Sequence, residues 1–443
     1  MRAAEKAYPR YPESIPELME RAGAAVAQEA MRAYPAARSF ACVCGGGSNG
    51  GDGRVAARVL RGAGLDATET TDDLGRHDVI VDALFGTGFR GEPRPDTAEV
   101  IGRMNAEPVP VVSVDLPSGV DASTGEVAGA VVDADLTVTF HAEKVGLVVA
   151  PGRQHAGRVV VVDIGLDDVP TVIRRARSSL LDQVPRRGAR DTKYSSGSVL
   201  VVGGQPGMTS AACLTAMAAL RADAGYVTLA VPSESLHAAE VLALEPVKLA
   251  WTDDAAVETL LAAAERARSL AIGPGLGRSK ARRELVRALL ERIDLPAVVD
   301  ADGLFGLEPF ERRARTVLTP HAGELARLLE REAAWVDAHR LEAARTCSER
   351  FSATVLLKGS DTIVCSTGEG AVVCDFGPPS LATAGTGDVL TGVVAAFLSK
   401  GLDATTAASA AAVAHGLAAA ASNHRAGLVA SDLLALLPAA LDG

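Results

Sequence analysis

Aromatic residues are scarce in this chain: Phe, Trp and Tyr make up 4% of its 443 residues, whereas hydrophobic residues of all kinds reach 48%. Large rings cannot dominate such an interior, which points instead to Ala/Val/Leu-packed α/β layers. Blocks of basic residues are also missing. The 44 Lys and Arg against 55 Asp and Glu leave a formal charge of −11, a poor match for a surface that tracks nucleic-acid phosphates. No nucleic-acid partner is expected. Metal or redox cysteine spacing is lacking too: of six cysteines only Cys42 and Cys44 are close, and C-V-C is not C-x-x-C. Buried small hydrophobes in a reducing compartment are the expected reading. The opening MRAAEKAYPRYPESIPELMERAG has no apolar signal core. The most apolar late stretch, TTAASAAAVAHGLAAAAS, is Ala-rich and carries a histidine, in keeping with a packed helix rather than a membrane span. A soluble, cytoplasmic protein with no membrane partner is expected.

What is present is a long alternation. SFACVC, HDVIVDAL, VPVVSVDL, ADLTVTF and GRVVVVDIGL read as buried strands, with helical segments such as DGRVAARVLRGAG between them. This is the βαβ pattern of a parallel sheet covered on both faces. After Asp168 the pattern breaks in RRARSSLLDQVPRRGARDTKYSSG, which reads as a strandless linker. A second series follows in GSVLVVGG, YVTLAVP, SLAIGPG, LPAVVDADGL, RTVLTPH and ATVLLKGSDTIV, and three helical segments close the chain from Gly387 to about Leu441. The fold class expected is α/β in two domains, a doubly wound first domain at 1–172 and a second at 193–443, joined by 173–192. The chain is too long for one ordinary core.

The chemistry-bearing residues sit where strands end. CGGGSNGGDGRVAARVL runs from a strand into a glycine loop and a helix expected to begin at about Asp52. Its spacing is neither G-x-G-x-x-G nor a Walker loop, so it is either a phosphate site or a tight βα turn. Asp82 and Asp115 each follow an apolar strand, at positions that converge on the ligand crevice of a doubly wound sheet. A single such Asp is commonly a turn former. In SLATAGTGDVLTGVVAAFLSKG, Asp388 stands directly behind Gly385, Thr386 and Gly387. It is either a helix cap or a base beside a phosphate-binding nest.

The set GxSNGGDG, DALFGTGFRG, DLPSGVD and TFHAEKVGL, covering about Ile15 to Val162, resembles the NAD(P)H-hydrate epimerase domain, which has a Rossmann-like fold and interconverts the R and S hydrates of NADH or NADPH. The resemblance implies that Ser48, Asn49, Gly50, Gly51 and Asp52 contact the hydrate. It further implies that Gly86, Thr87, Gly88, Phe89, Arg90, Gly91 and Glu92 wrap its phosphates, and that Asp115 is the acid/base. Asn49, Asp82 and Ser118 would hold K+, all three offering oxygen donors suited to a hard cation. Ser48 departs from the family's usual Asn. Lys144 matches a family lysine but is expected at the surface and receives no role.

From about Lys193 the motifs GSVLVVGGQPGMTSAACLTAMAALRADAGYVTLAVP, AIGPGLGRS, VVDADGL, LTPHAGELARLL, VLLKGSDTIV and LATAGTGDVLTGVVAAFLSKG resemble, in order, the ribokinase-like superfamily and within it the NAD(P)H-hydrate dehydratases. Here the resemblance implies that Ala211, Gly275, His321 and Asp388 contact the hydrate. Lys358, Gly359, Ser360, Asp361, Thr362 and Gly387 would hold the adenine nucleotide, with Mg2+, and ADP is expected as donor over ATP because the fused arrangement resembles bacterial members. Asp388 would take the proton from the C6 hydroxyl as a phosphoryl group is transferred to it, work done mainly by positioning and charge neutralisation. Loss of phosphate would then regenerate NAD(P)H. The resemblance also implies a homo-oligomer. Departures fall at Thr192, Lys193, Tyr194 and Ser195, where the family has His-Lys and a Gly-rich turn, and at Ser210 and Asp223, where it tends to have Gly. Two other readings stay open: a ribokinase-like kinase of a small alcohol, and a non-catalytic scaffold.

Overall fold

Continuous apolar runs ended by Gly or Asp make strands that bury both faces, and in the first unit they assemble into one parallel sheet. Its strands are β1 (Ser39–Cys44), β2 (Asp66–Thr70), β3 (Val79–Ala83), β4 (Val111–Val114), β5 (Leu136–Phe140) and β6 (Arg158–Val162). Their order is β2-β1-β3-β4-β5-β6, every pairing parallel. The computed structural model describes residues 1–193, 195–422 and 426–442, so Tyr194 lies outside the described residues. By contacts the chain divides into a first unit built on Met1–Thr171 and a second comprising Val172–Val336 and Arg340–Gly443. The sheet order of the first reverses direction at β1 and β3, which places a crevice at their carboxyl ends. A helix at Ser48–Gly62 follows β1 and packs on the helix Ile15–Ala33; Val26, Ala27, Ala56, Ala57 and Leu60 lie in the core between them and the sheet.

The second unit holds β7 (Ile173–Arg175), β8 (Ser198–Val202), β9 (Tyr226–Pro232), β10 (Val247–Trp251), β11 (Ser269–Ile272), β12 (Ala297–Val299), β13 (Thr316–Leu318), β14 (Thr354–Leu357), β15 (Thr362–Ser366) and β16 (Gly370–Cys374). They form a ten-stranded sheet in the order β10-β9-β8-β11-β12-β13-β14-β15-β16-β7. It is parallel from β10 through β14 and antiparallel at β14–β15 and β15–β16. The direction of winding reverses at β8 and β11. The closing helices are Thr386–Ser399, Ala404–Ala420 and Ala430–Asp442. The first of them is buried along almost its whole length, from Val389 to Ser399.

Three expectations are corrected. The helix after β1 begins at Ser48, not Asp52, so Ser48 to Gly51 form its first turn rather than a loop. The segment expected to be a strandless linker contains β7, paired in parallel with β16. It follows a polar rather than apolar pattern because it lies at the sheet edge. Strands β2 and β10 escaped the sequence for the same reason, being edge strands with several solvent-facing positions. All six cysteines are free and buried. Among the described residues, no helix is long and apolar enough to cross a membrane.

Candidate active sites

In the first unit the loops after β1, β3 and β4 meet. Gly50 must be glycine for contact reasons: a Cβ there would lie 1.9 Å from the Gly45 carbonyl oxygen. That close approach folds the glycine loop against the helix start. Asn49 is buried, its Nδ2 donating to the Phe85 carbonyl at 2.8 Å. Asp82 is fully buried and accepts from the Ser113 hydroxyl (2.8 Å), from the Ser118 amide (2.9 Å) and from the Ser118 hydroxyl (2.6 Å). Burial nevertheless pushes Asp82 up from the ordinary carboxylate range, and the Ser118 and Ser113 hydrogen bonds only partly oppose it. The structure thus brings Asn49, Asp82 and Ser118 together around the turn at Phe85, whose amide donates to the Ser118 hydroxyl at 2.9 Å. The loop 86–92 is half-buried at Gly86, Thr87 and Phe89 and exposed at Gly88, Arg90, Gly91 and Glu92. Phe89 stacks on Phe85 with centroids 4.6 Å apart, and Arg90 pairs with Asp121 at 3.1 Å.

Asp115 follows β4 with φ of 67°, a left-handed conformation that is uncommon for a non-glycine residue and is concentrated at functional positions. Its Oδ1 accepts from the Thr139 hydroxyl at 3.0 Å and lies 2.5 Å from Lys144 Nζ. Lys144 is therefore not the surface residue expected. It is 8% exposed, and its ammonium also donates to Thr139 Oγ1 and the Phe140 carbonyl, both at 2.8 Å. Asp52, the fifth residue of its helix, makes no hydrogen bond or ion pair among the described residues. Burial, then the charges of Asp115 and Glu5, push it up to about 8 despite Lys144. Ser48 stands exposed in the first turn.

In the second unit the centre is Lys358, at the end of β14. Its Nζ donates to Asp300 Oδ1 at 2.9 Å and lies 3.8 Å from Glu324 Oε2. Burial would lower this ammonium, but Asp300 and Glu324 outweigh it and the group is raised overall. Asp300 is 1% exposed, and its other oxygen accepts from the Thr391 hydroxyl at 2.7 Å. A Cβ on Gly387 would sit 3.3 Å from Lys358 Nζ, so this ammonium lies against the start of the helix Thr386–Ser399. That helix is entered through Gly385 in the left-handed conformation, φ 89°, with no side chain capping it. Among the described residues no acceptor meets the Gly387 and Asp388 amides, and such a helix end attracts anions. The Asp388 carboxyl is likewise unbonded among the described residues. Burial and then Asp300 push it up to about 7, against the pull of Lys358.

His321 caps the helix Ala322–Leu329: its Nδ1 accepts from the Gly323 and Glu324 amides while Glu324 accepts from the His321 amide at 3.0 Å. His321 and Glu324 thus form a capping box. Because Nδ1 is the acceptor, the neutral ring carries its proton on Nε2, and burial, with help from Lys358 and Arg327, lowers its pKa. Ala211 is half-buried at the start of the helix Thr209–Arg221, and a Cβ on Gly275 would stand 3.2 Å from Ala211 Cβ. Thr215 bonds both the Ala211 and Asp388 carbonyls, at 3.1 and 3.0 Å, tying this helix to the start of the other. Asp361 is 1% exposed, with its carboxylate accepting from Arg340 Nε at 3.0 Å. Arg340 Nη2 also donates to the Lys358 carbonyl at 3.3 Å. The loop 358–362 thus presents Asp361 inward. Thr362 Oγ1 donates to the Gly359 carbonyl at 2.9 Å. Asp223, whose φ of 69° is one that glycine adopts readily, finds partners in Lys400 at 2.7 Å and Arg187 at 2.6 Å. Ser210 is exposed beside Ala211. The sequence motifs assign no role to Asp300, Thr391 or Arg340. For Asp300 the signal was present, an Asp ending an apolar strand in VVDADGL, as Asp115 does in VVSVDL.

An α/β unit with an open helix N-terminus, a cation and an unpaired carboxyl has the parts of an enzyme site for a phosphate-bearing ligand, in a chain that carries a second, Rossmann-like unit. Family models match both units: one described as NAD(P)H-hydrate dehydratase over residues 199–439, one as YjeF-related protein N-terminus over residues 16–74 and 65–146. The chain is 37% identical to the bifunctional NAD(P)H-hydrate repair enzyme Nnr of Moorella thermoacetica, covering 95% of this chain and 91% of that protein. It is 35% identical to the enzyme of the same name from Escherichia coli K12, covering 95% and 88%. The chain belongs to the family of bifunctional NAD(P)H-hydrate repair enzymes. The second unit shares its fold with an ADP/ATP-dependent NAD(P)H-hydrate dehydratase from Bacillus subtilis, at a TM-score of 0.56 and 24% identity over 61% of this chain and 98% of that one. A ribokinase-like superfamily protein from Enterococcus faecalis aligns with a TM-score of 0.55 at 21% identity, over 62% and 98% of the two chains.

Proposed function

We propose that this protein repairs hydrated nicotinamide cofactors, its first domain (1–172) interconverting the R and S hydrates of NADH and NADPH and its second (193–443) dehydrating the S form with ADP as donor. The observation that carries this reading is a pair of carboxyls within family-matched units: Asp115, after β4 and ion-paired with Lys144, and Asp388, in the first turn of the helix Thr386–Ser399 under the charge of Lys358. At the second site the open amides of Gly387 and Asp388 hold the phosphoryl group in flight, and Lys358 offsets its charge. The backbone of residues 358–362 carries the nucleotide. Asp388 takes the proton of the C6 hydroxyl as its oxygen attacks phosphorus. The phosphate ester so formed leaves with its C–O electron pair, and loss of the neighbouring ring proton completes the double bond. His321, with its proton on Nε2, Ala211 and Gly275 form the hydrate wall.

Magnesium would neutralise the charge of the nucleotide phosphates, and Asp300 and Glu324, beside Lys358, are the hard oxygen donors that would hold it. Potassium fits the first site by donor chemistry. Asp82 is fully buried, has no cationic side chain in an ion pair with it among the described residues, and shares its turn with the oxygens of Asn49 and Ser118. A monovalent cation there would compensate that charge. Gly50, Gly51, Asp52 and the loop 86–92 contact the dinucleotide. The same reading has the chain acting on small molecules as a homo-oligomer in the cytoplasm, without nucleic-acid or membrane partners.

The test is recovery of reduced-nicotinamide absorbance from mixed R and S NADH hydrate with Mg2+, K+ and either ADP or ATP. The unmutated protein is expected to return the whole mixture with ADP, and Asp115→Ala only the S fraction at the enzymatic rate. No recovery with either nucleotide overturns the dehydratase assignment. Recovery of the S fraction alone by the unmutated protein overturns the epimerase assignment. A second expectation arises from Arg340. Arg340→Lys keeps a charge beside Asp361 but loses the fork that also reaches the Lys358 carbonyl. The KM for adenine nucleotide should rise about tenfold while kcat changes less than about threefold, as loss of uniform binding requires. Initial-rate kinetics at varied ADP check this.

A further inference from the structure

The geometry points to Lys144 as the positioning residue that readies Asp115 for proton transfer: with the Thr139 hydroxyl it fixes one carboxylate oxygen, so that the other is offered to the substrate. This rests on the epimerase reading of the first site, in which Lys144 has no part. Adjacent strands place the two residues. β4 and β5 pair in parallel at Val114 and Val138, and the Asp115 amide donates to the Val138 carbonyl at 2.8 Å. Past each strand the chain turns through a left-handed residue, Asp115 with φ of 67° and His141 with φ of 65°. Neither is glycine, so both turns are held at a cost in backbone energy. The second turn brings Lys144 back over the end of β5. It is fixed there by Gly146, where a Cβ would lie 2.7 Å from the carbonyl oxygen of Asp121 in the loop that follows Asp115.

Three oxygens surround Lys144 Nζ: Asp115 Oδ1 at 2.5 Å, and Thr139 Oγ1 and the Phe140 carbonyl at 2.8 Å each. An ammonium has three protons, so none remains for a ligand, and Lys144 acts on the substrate through Asp115. Thr139 closes the triangle. Its hydroxyl accepts from Lys144 and donates to the same Oδ1 at 3.0 Å. Asp115 Oδ2 makes no hydrogen bond or ion pair among the described residues. Asp82, by contrast, has donors on both oxygens: the Leu84 amide and Ser118 hydroxyl on Oδ1, the Ser113 hydroxyl and Ser118 amide on Oδ2. One oxygen held and one open is the arrangement a positioned base requires. The charges bearing on Asp115 come from two elements, Lys144 in the turn after β5 and Asp52 on the helix after β1. Lys144 is the only cation paired with Asp115 among the described residues. Both members of the pair are buried, so salt screens them little, and the cation stabilises the ionised carboxylate, the form that accepts a proton.

The experiment follows the conversion of purified R NADH hydrate to S by chromatography, across pH, in the unmutated chain and in Lys144→Met, Lys144→Gln and Lys144→Arg. Urea unfolding reports the folded fraction of each. Lys144→Met should lose about 100-fold in kcat at neutral pH, with KM changed less than about threefold. The acid limb of its profile should move up by about one pH unit or more, so that alkaline solution restores part of the rate. Lys144→Gln keeps an N–H donor and loses the charge. It should behave alike, and it carries the test if the Met variant does not fold. Lys144→Arg keeps the charge and should recover at least about tenfold in kcat over the neutral variants, with its acid limb where the unmutated enzyme has it. A merely structural lysine would change the folded fraction and leave the limb in place. A neutral variant within about threefold of normal kcat, a loss confined to KM, or a loss equal at every pH each overturns the proposal. So does an arginine variant no better than the neutral ones. If the unmutated chain fails to interconvert the hydrates at all, the epimerase reading itself falls, an outcome distinct from an active enzyme indifferent to Lys144.

Discussion

Asp388→Asn is expected to abolish dehydration, lowering kcat by about 1,000-fold, within the span measured for general bases, while R/S interconversion proceeds at its normal rate. The expectation follows from how the carboxyl is held. It stands in the first turn of the helix Thr386–Ser399, beside two amides that no acceptor meets among the described residues, and it makes no bond of its own. Burial and Asp300 push it up to about 7, so at neutral pH about half the sites carry the base form. Dehydration by the unmutated enzyme should therefore rise with pH through about 7 and level off above it. Asparagine matches the shape and keeps the amides open, so nucleotide binding should survive. Single-turnover recovery of NADH from pure S hydrate, read against pH, separates loss of the base from loss of binding. A variant within about tenfold of normal rate would remove Asp388 from the chemistry and favour a kinase-like or scaffold role for this unit.

Lys358→Met should have the second largest effect, and on two observables together. The ammonium holds Asp300 at 2.9 Å and stands 3.8 Å from Glu324. Removing it leaves two nearly fully buried carboxylates without a cation, at a cost of about 3–5 kcal/mol in unfolding free energy. Dehydration should fall below detection, since the same charge faces the phosphoryl site and draws Asp388 down. Pairing the change with Asp300→Asn removes one of the stranded carboxylates. The double variant should regain part of the stability and none of the activity, the non-additivity expected of groups in contact. Urea unfolding of the four proteins of the cycle provides the check. Additive stability effects would mean that Lys358 and Asp300 are not a functional pair.

The parallel cores were legible because buried strands are written as unbroken apolar runs: β1, β3, β4, β8 and β11 stand in the sequence almost as they stand in the sheets. Of the edge strands, β6 (RVVVV) is written that way although no residue of it is fully buried, whereas β2 and β7 are not. DATET and IRR look like loop because few of their side chains are buried, and only the strands beside them reveal their state. The same contrast governs the sites. Strand-end acids announced Asp82 and Asp115, and a glycine turn opening a helix announced Asp388, because each leaves a local signature. Lys144 and Arg340 did not announce themselves. Their roles depend on partners brought from elsewhere in the fold, Asp115 for one and Asp361 with the Lys358 carbonyl for the other, and charge alone made Lys144 look like solvated surface. His321 caps its helix through Nδ1 and places Nε2 3.5 Å from Glu324 Oε1, so its role as a cap depends on the helix that follows it.

The unpaired carboxyls have a consequence for the chain's own folding. An aspartate in the unfolded chain releases its proton near 3.8, whereas Asp388 holds one to about 7 and Asp52 to about 8. Across that interval the folded form binds more protons than the unfolded form, so the contribution of these two groups to stability declines as pH rises. It is fully present below about 3.8, declines across the mildly acid range, and is gone above about 8. These buried carboxyls thus make the empty protein least secure in alkaline solution, where Asp388 is most fully in its base form.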